Sequence, residues 1–401
     1  MKNVVITGMG VISSIGYSVK QFWRSLVNGR MAISNTSDPS LPFWSPVSRD
    51  FDPIKWLDSD VVRTTNRLTQ FALCAAIDAV TMSQAAPLPS TRTAVILGST
   101  MGSVPTLAET QSALEHEGPR AVPARLMSQV IPNIPAAHIA IRWGLHGPLL
   151  TISTACASSL DAIGLAAKMI EGGEIDYAIA GGVDGLLTPV VAHSLVRARA
   201  VTKSFVPELA SRPFDRDRTG FVMGEGAGIV LLESIKSAKT RHQPVLARII
   251  GYGSVADAFH VTSPDPSGKW EALAMQIALE DARVSPSEID AVIAHGTGTP
   301  VGDNAEIQAI NQTFTKPQTP IVTSIKGNMG HSMAASGVMA VIAGTNALIN
   351  GKLPFTMGTR EVDPTAEFDL VTRQTRSLSM AKLQVNAFGF GGQNASLVLA
   401  R

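Results

Sequence analysis

Thr93-Ala94-Val95-Ile96-Leu97-Gly98-Ser99-Thr100 and Asp290-Ala291-Val292-Ile293-Ala294-His295-Gly296-Thr297 follow one pattern, an apolar run of strand length that enters a glycine turn. A helix-type run precedes each, Phe71 to Ala79 in the first case and Leu273 to Ala282 in the second, with a short loop between. Self-similarity of this kind is the signature of a repeated architecture. The match extends outward. Cys156 opens a small-residue helix that ends at Glu171-Gly172-Gly173, and Ala335 opens another, Val338 to Ile349, that ends at Asn350-Gly351. Gly224 to Leu232 and Gly391 to Leu399 are glycine turns running into apolar strands, and Val4 to Gly10 compares with Arg248 to Gly253. The chain therefore divides into two halves of similar topology, 1–243 and 244–401, meeting near Gln243-Pro244. Alternating strands and helices imply α/β units, and continuous apolar strand runs imply buried sheets covered by helices. The small-residue helices suit close packing between the two sheets.

Composition narrows the function. The 401 residues are 45% hydrophobic and 16% charged, enough for a large core and unlike a disordered chain. A formal net charge of +1 argues against general nucleic-acid binding. Two cysteines, Cys74 and Cys156, form no disulfide framework and fit a reducing, cytoplasmic compartment. Met1-Lys2-Asn3-Val4-Val5-Ile6-Thr7-Gly8 reads as a strand entering a turn rather than a signal peptide. The most apolar stretch, Val338 to Ile349, carries Gly344, Thr345 and Asn346. It falls short of the roughly 20 residues a membrane span needs and reads as a buried helix. The first half carries an insertion between Met101 and Leu150, broken by prolines into short pieces, and Ser204 to Arg218 reads as a surface loop.

Cys156 lies where the run Leu149 to Thr154 gives way to the helical run Leu160 to Ile170. A helix N-terminus favours a thiolate, yet a free cysteine is equally a small buried hydrophobe. His295 ends a strand and leads into Gly296-Thr297-Gly298-Thr299-Pro300, where it either faces a cleft or bonds within its own turn. Lys326 and His331 belong to a second glycine loop, Ser324 to Ser332, just before the position that corresponds to Cys156. Asp303 and Glu306 start a helix. Capping accounts for both, and pairing of Glu306 with Lys326 is the functional alternative. One thiol, two imidazoles and one ammonium on strand-end loops suit acyl transfer through a thioester. The histidines lack metal-ligand spacing, no cysteine cluster exists and no phosphate-binding glycine loop is present.

Taken together these motifs resemble the β-ketoacyl-acyl carrier protein synthases, the type II ketosynthases of the thiolase superfamily. The resemblance rests on the opening Val5-Ile6-Thr7-Gly8-Met9-Gly10, Thr154 to Ser159, Arg212 to Phe221, His295 to Asp303, Lys326 to His331 and Phe388 to Gly392, and spans essentially the whole chain. It implies the five-layered αβαβα thiolase fold built from two pseudo-symmetric halves. It casts Cys156 as the acyl-accepting nucleophile, and His295 and His331 as the pair that drives malonyl decarboxylation and stabilises the enolate. Lys326 would order the second histidine loop with Glu306 as partner, and Asp303 would be a structural acid. The backbone N–H groups of Cys156 and Phe390 would form an oxyanion hole, with Phe390 as gate. Met101 and Phe388 would line the acyl pocket. Substrates would arrive on the phosphopantetheine arm of acyl carrier protein, with no cofactor or metal, and the chain would act as a homodimer or as a heterodimer with a related chain-length factor. An acidic carrier needs a basic docking patch. Arg63 and Arg67, spaced i, i+4 on an expected helix, with Arg199 and Lys203, supply it or simply form a solvated face. A chain-length-factor-like partner subunit and a thiolase acting on coenzyme A esters are the competing readings; the first typically lacks the nucleophile and the second needs a C-terminal cysteine. Two departures stand out. Ser14-Ile15-Gly16 has no proline where many relatives do, and Gly298 replaces a serine common in fatty-acid enzymes. His-Gly-Thr-Gly-Thr shifts the expectation toward a polyketide, polyene or modified fatty acyl pathway.

Overall fold

The computed structural model describes residues 3–36, 38, 41, 43–316 and 319–401; Met1 and Lys2 of the expected opening strand lie outside them. Eleven strands form a continuous path. They are β1 (Val4–Ser13), β2 (Thr93–Gly98), β3 (Leu149–Ile152), β4 (Tyr177–Gly185), β5 (Met223–Ser234), β6 (Ala247–Ala256), β7 (Ala291–Ile293), β8 (Ile321–Thr323), β9 (Asp369–Leu370), β10 (Lys382–Gly389) and β11 (Gln393–Ala400). Their order is β9-β8-β7-β10-β11-β6-β1-β5-β4-β2-β3. Read outward from the centre, β1-β5-β4-β2-β3 and β6-β11-β10-β7-β8 have the same sense of pairing, antiparallel for the inner pairs and parallel for the outer. The two sheets join through a short antiparallel ladder of Val4, Val5 and Ile6 with Ile249, Arg248 and Ala247. The repeat visible in the sequence is thus a repeat of topology.

Strand periodicity distributes the side chains between layers. On β2, Ala94 and Ile96 enter the central cluster while Val95 and Leu97 enter an outer one; on β7, Ala291 and Ile293 face the centre and Val292 faces the other outer layer. Successive side chains of a strand point to opposite faces, so a sheet buried on both sides needs apolar residues at every position. Helix α1 (Arg67–Ser83) covers the first sheet, and α3 (Lys269–Ala282) with α4 (Pro300–Thr313) covers the second. Between the sheets lie α2 (Ser158–Glu171) and α5 (Ser336–Asn350), whose residues share the central cluster. These are the five layers. The central helices touch closely because their facing residues are small. A Cβ on Gly337 would sit 2.4 Å from Leu160 Cδ1, well inside the carbon–carbon contact optimum of about 3.5–4.0 Å. The only helical stretch among the described residues long and apolar enough to cross a membrane, Met333–Asn350, is 89% buried in this middle layer.

Three expectations change. The insertion is less fragmented than its prolines suggest, because Pro105 occupies the first turn of a 14-residue helix, Val104–Glu117, where a missing N–H costs nothing. The stretch Ser204 to Arg218 is exposed near its start and again at Arg216 and Asp217, but its middle is buried. Phe214 is fully buried, Phe214 N–H donates to Asp303 at 2.6 Å, and Arg218 reaches Asp363 at 2.6 Å. Strand β3 is not buried. It is the outermost strand of its sheet, with Leu149 43% and Leu150 39% exposed.

Candidate active site

Cys156 sits in a single 3-10 turn, Ala155–Ala157, which leads directly into α2. Ala155 before it has φ +49°, a left-handed conformation that costs an alanine energy and aims the next side chain back across the helix end. Met333 repeats this at φ +46° in the turn Met333–Ala335 that leads into α5. The structural counterpart of Cys156 is therefore Ala334, one residue before the Ala335 read from the sequence.

The two halves bring their groups together at this seam. His331 Nε2 lies 3.0 Å from Cys156 Sγ, and His331 Nδ1 lies 2.9 Å from Ser336 Oγ at the start of α5. The His295 and His331 rings stand edge to face, centroids 5.2 Å apart. Phe221 packs on His331 and Phe388 on His295. Both imidazoles are held well below their ordinary pKa, chiefly by burial and then by the charge of Lys326, so both are neutral at neutral pH.

The thiol behaves otherwise than its helix terminus suggests. Burial pushes Cys156 up to about 12; Lys326 pulls it down, Asp184 pushes it up, and hydrogen bonds from the backbone of Phe390 and of Cys156 itself pull it down. Desolvation outweighs the dipole, so the resting side chain is a thiol, and His331 Nε2 is the base within reach of its proton. The closing loop is pressed against the nucleophile turn, as a Cβ on Gly389 would lie 2.9 Å from Cys156 N. Phe390, beyond it, is 42% exposed.

The Lys326 ammonium bonds to the first histidine, while the Lys326 carbonyl accepts from Gly330 N within the second histidine's loop. Its Nζ donates to the His295 carbonyl and lies 3.4 Å from His295 Nδ1. An ammonium at Nδ1 makes that atom the acceptor and leaves the proton on Nε2. Glu306 makes no ion pair with Lys326 within contact distance. It accepts the N–H groups of His295 at 2.8 Å and Gly296 at 2.6 Å and acts on Lys326 only through space. Burial raises Glu306 and lowers Lys326, and their mutual attraction opposes both shifts. Asp303 gathers the N–H groups of Thr297, Gly298 and Phe214 and lies 3.8 Å from Arg218, so it shapes the loop that follows His295. Gly298 in that loop has φ +85°, which suits glycine.

The remaining candidates scatter. Phe388 is buried beside His295, whereas Met101 is 57% exposed in the single chain. Arg63 and Arg67 do not share one helix. A short helix Ser59–Thr64 stops at Thr65, and Asn66 caps α1 by accepting from Thr69 N. Arg63 pairs with Asp60 in solvent, while Arg67 donates to Val47 O at 2.7 Å and lies 3.5 Å from Glu225. Arg199 and Lys203 are exposed. Two groups carried no signal in the sequence reading. Asp184 on β4 is fully buried and accepts from Thr100 Oγ1 at 2.8 Å and Ala334 N at 2.9 Å, and burial raises it to about 7. Asp161 on α2 receives Thr154 Oγ1 at 2.5 Å and Tyr252 OH at 2.6 Å, tying the nucleophile turn to the second half.

A half-buried thiol facing two neutral imidazoles, framed by a duplicated α/β fold, defines an acyl-transfer centre of the condensing type. Family models agree: "Beta-ketoacyl synthase, N-terminal domain" matches residues 1–238 and "Beta-ketoacyl synthase, C-terminal domain" matches 246–360. The chain belongs to the β-ketoacyl synthase family. It is similar to 3-oxoacyl-[acyl-carrier-protein] synthase 2 of Coxiella burnetii, 35% identical with 100% of this chain and 99% of the relative covered. The enzyme of the same name from Vibrio cholerae is 36% identical with the same coverage. Among solved structures it resembles the ishigamide ketosynthase/chain length factor, at TM-score 0.93 and 32% identity over 100% of this chain and 99% of that one. A type II PKS acyl-carrier protein in complex with its ketosynthase bound to the hexaketide matches at TM-score 0.90 and 26% identity, covering 100% and 99%.

Proposed function

We propose that the protein joins an acyl group held on Cys156 to a two-carbon unit from malonyl-acyl carrier protein, releasing carbon dioxide and 3-oxoacyl-acyl carrier protein. The 3.0 Å approach of His331 Nε2 to Cys156 Sγ, with both imidazoles neutral, carries this reading. The Cys156 thiol gives its proton to His331 as sulfur attacks the carrier thioester; the carrier thiol leaves with a proton, and Cys156 keeps the acyl group. Malonyl thioester then loses carbon dioxide, and the electron pair of the broken bond becomes an enolate. His295, protonated at Nε2, donates to the enolate oxygen. The carbanion attacks the Cys156 thioester, N–H groups of Cys156 and Phe390 receive the oxyanion, and collapse expels the Cys156 sulfur as a thiolate, which takes a proton from solvent to restore the thiol. No metal or other cofactor takes part. Asp303 and Glu306 hold the loop, and Lys326 fixes the His295 tautomer. Phe390 gates the site, and Met101 and Phe388 contact the acyl chain.

Several observations bear on partners. Relatives named for acyl carrier protein, and a ketosynthase solved in complex with one, support a carrier as donor, with exposed Arg63, Arg199 and Lys203 as docking charges. Strand β3 presents an open edge with exposed leucines, which fits pairing with a second copy or with a related subunit. The halves 1–243 and 244–401 act as one unit, since each supplies part of the centre. Gly298 and the likeness to the ishigamide ketosynthase favour a specialised pathway in the cytoplasm. The thiolase reading is disfavoured because the second cysteine, Cys74, is buried in the outer helix layer, outside the centre. Intact-mass measurement after incubation with a panel of acyl carriers tests the assignment. Wild type gains one acyl group and Cys156→Ala gains none; an acylated Cys156→Ala refutes it.

A further inference from the structure

The duplicated fold contains an internal comparison for the nucleophile turn. Gly8 and Gly10 on β1 press against the carbonyls of Ala79 and Ala75 in α1, and Gly251 and Gly253 on β6 press in the same way against Ala278 and Ala274 in α3. Met9 and Tyr252, each between the two glycines of its strand, therefore occupy matching places. Cys156 matches Ala334, so Asp161 on α2, five residues on, matches Met339 on α5. Both methionines belong to the central apolar cluster. Two methionines satisfy the architecture at these places, yet the half that carries the thiol has a carboxylate matched with a phenol. We propose that Asp161, oriented by Tyr252, is a positioning residue for acyl transfer: it tethers Thr154 and so keeps Cys156 Sγ directed at His331. The link to acyl transfer rests on the nucleophile role proposed above; the tether itself stands on the geometry.

The two turns differ in what holds them. Each contains a residue of left-handed backbone, Ala155 at φ +49° and Met333 at φ +46°, a conformation that persists only where its surroundings over-determine it. In the second half packing does so, since Ser332, Met333, Ala334 and Ala335 are all buried. The first half has less packing to use, because its turn faces the opening through which substrate enters. Ser153 is exposed, and Thr154, Ala155 and Cys156 are half-buried. Hydrogen bonds take over. Thr154 Oγ1 donates to Asp161 Oδ2 at 2.5 Å, Thr154 N donates to Ser158 Oγ at 2.9 Å, and Ser158 Oγ donates to the Ala155 carbonyl at 2.6 Å.

Asp161 is fixed in its turn. It is 7% exposed, and its other oxygen accepts Tyr252 OH at 2.6 Å. The Tyr252 ring lies on bare backbone of α2, where a Cβ on Gly164 would meet it at 2.4 Å, and Lys168 Nζ stands 5.2 Å from the ring centroid. An acid in the first turn of a helix suits the helix dipole, which accounts for Asp161 by itself but not for the phenol brought to it from the other half. Both oxygens take hydroxyl donors rather than a cation, so the pair fixes direction. The second half thus sets the aim of a thiol borne by the first, besides supplying both histidines.

Three substitutions in the full-length protein test the tether. Tyr252→Phe removes one oxygen and keeps the ring, Thr154→Val removes the hydroxyl, and Thr154→Ser restores it. In steady-state condensation, Tyr252→Phe and Thr154→Val are expected to lose about tenfold or more in kcat, since misplacing a reacting group by an ångström costs on the order of 100-fold. KM for the acyl carrier stays within about twofold, the mark of lost positioning rather than lost binding. Thr154→Ser recovers most of the loss. Alkylation of Cys156 by iodoacetamide, followed by intact mass, reads the same aim without substrate. It should slow by a similar factor in Tyr252→Phe and Thr154→Val, because the thiol loses contact with its base. Alkylation at the wild-type rate in both variants overturns the proposal, as does a Thr154→Ser protein as slow as Thr154→Val. Alkylation that follows the expected order in a protein that no acyl carrier loads upholds the tether and refutes only the proposed function.

Discussion

Replacing Lys326 with methionine removes one charge from the centre while nearly conserving volume. In the native chain its Nζ lies 3.4 Å from His295 Nδ1 and donates to the His295 carbonyl, and the residue is 4% exposed. A unit charge at that distance acts on an imidazolium with about 5 kcal/mol at an effective dielectric constant of 20, an upper bound because Glu306 offsets part of it. The sign follows from the wild-type shifts. His295 and His331 lie below their usual pKa, first through burial and second through Lys326, so the neutral forms persist to acid pH. Without Lys326 both rise part of the way back, and the acid limb of the rate moves to higher pH. The rate on the plateau also falls. Loss of a hydrogen bond to a charged group is worth about 1.5–3 kcal/mol, so a ten- to hundredfold decrease is expected. The assay is release of labelled carbon dioxide from malonyl-carrier between pH 5 and 9, with circular dichroism to verify the fold. An acid limb that stays in place, at any rate, would refute the role given to Lys326.

Leu150→Asp on the open edge of β3 should shift the protein toward monomer by light scattering, leaving thermal stability within about 1 kcal/mol because the position is already solvated in one chain; an unchanged mass refutes pairing through β3. Gly337→Val drives a side chain into Leu160 and should destabilise the fold by about 1–3 kcal/mol or more in denaturant titration. An unchanged midpoint would show that the two central helices do not meet as described.

The layered architecture was legible because the chain states it twice. Each strand–turn–helix unit has its counterpart, and a repeat cannot be produced by local propensity alone. The thiol and both imidazoles were legible for a related reason: their loops occupy comparable places in the two halves. What escaped was whatever depends on distance between segments far apart in sequence. Glu306 and Lys326 look like an ion pair on paper, yet the carboxylate bonds the backbone of His295 and Gly296 and the ammonium goes to His295. The thiol state stayed open in the sequence because a helix terminus is visible there and desolvation is not. Arg63 and Arg67 share a spacing but not a helix, because Asn66 is a strong cap and Thr65 ends the preceding turn. Asp184 gave no sign, since its partners Thr100 and Ala334 come from opposite halves.

The two ends of the sheet path are not alike. One end is β3, four residues long with a free edge. The other is β9, two residues long, whose Asp369 is engaged by Arg376. A repeat that ended both times in an open strand could add subunits at either side and grow into a fibre. Here the second copy of the repeat is blunted by a very short edge strand, so chains pairing through β3 as proposed would consume the longer free edge they have, and growth would stop at two. The asymmetry between the halves would thus set where such an assembly terminates.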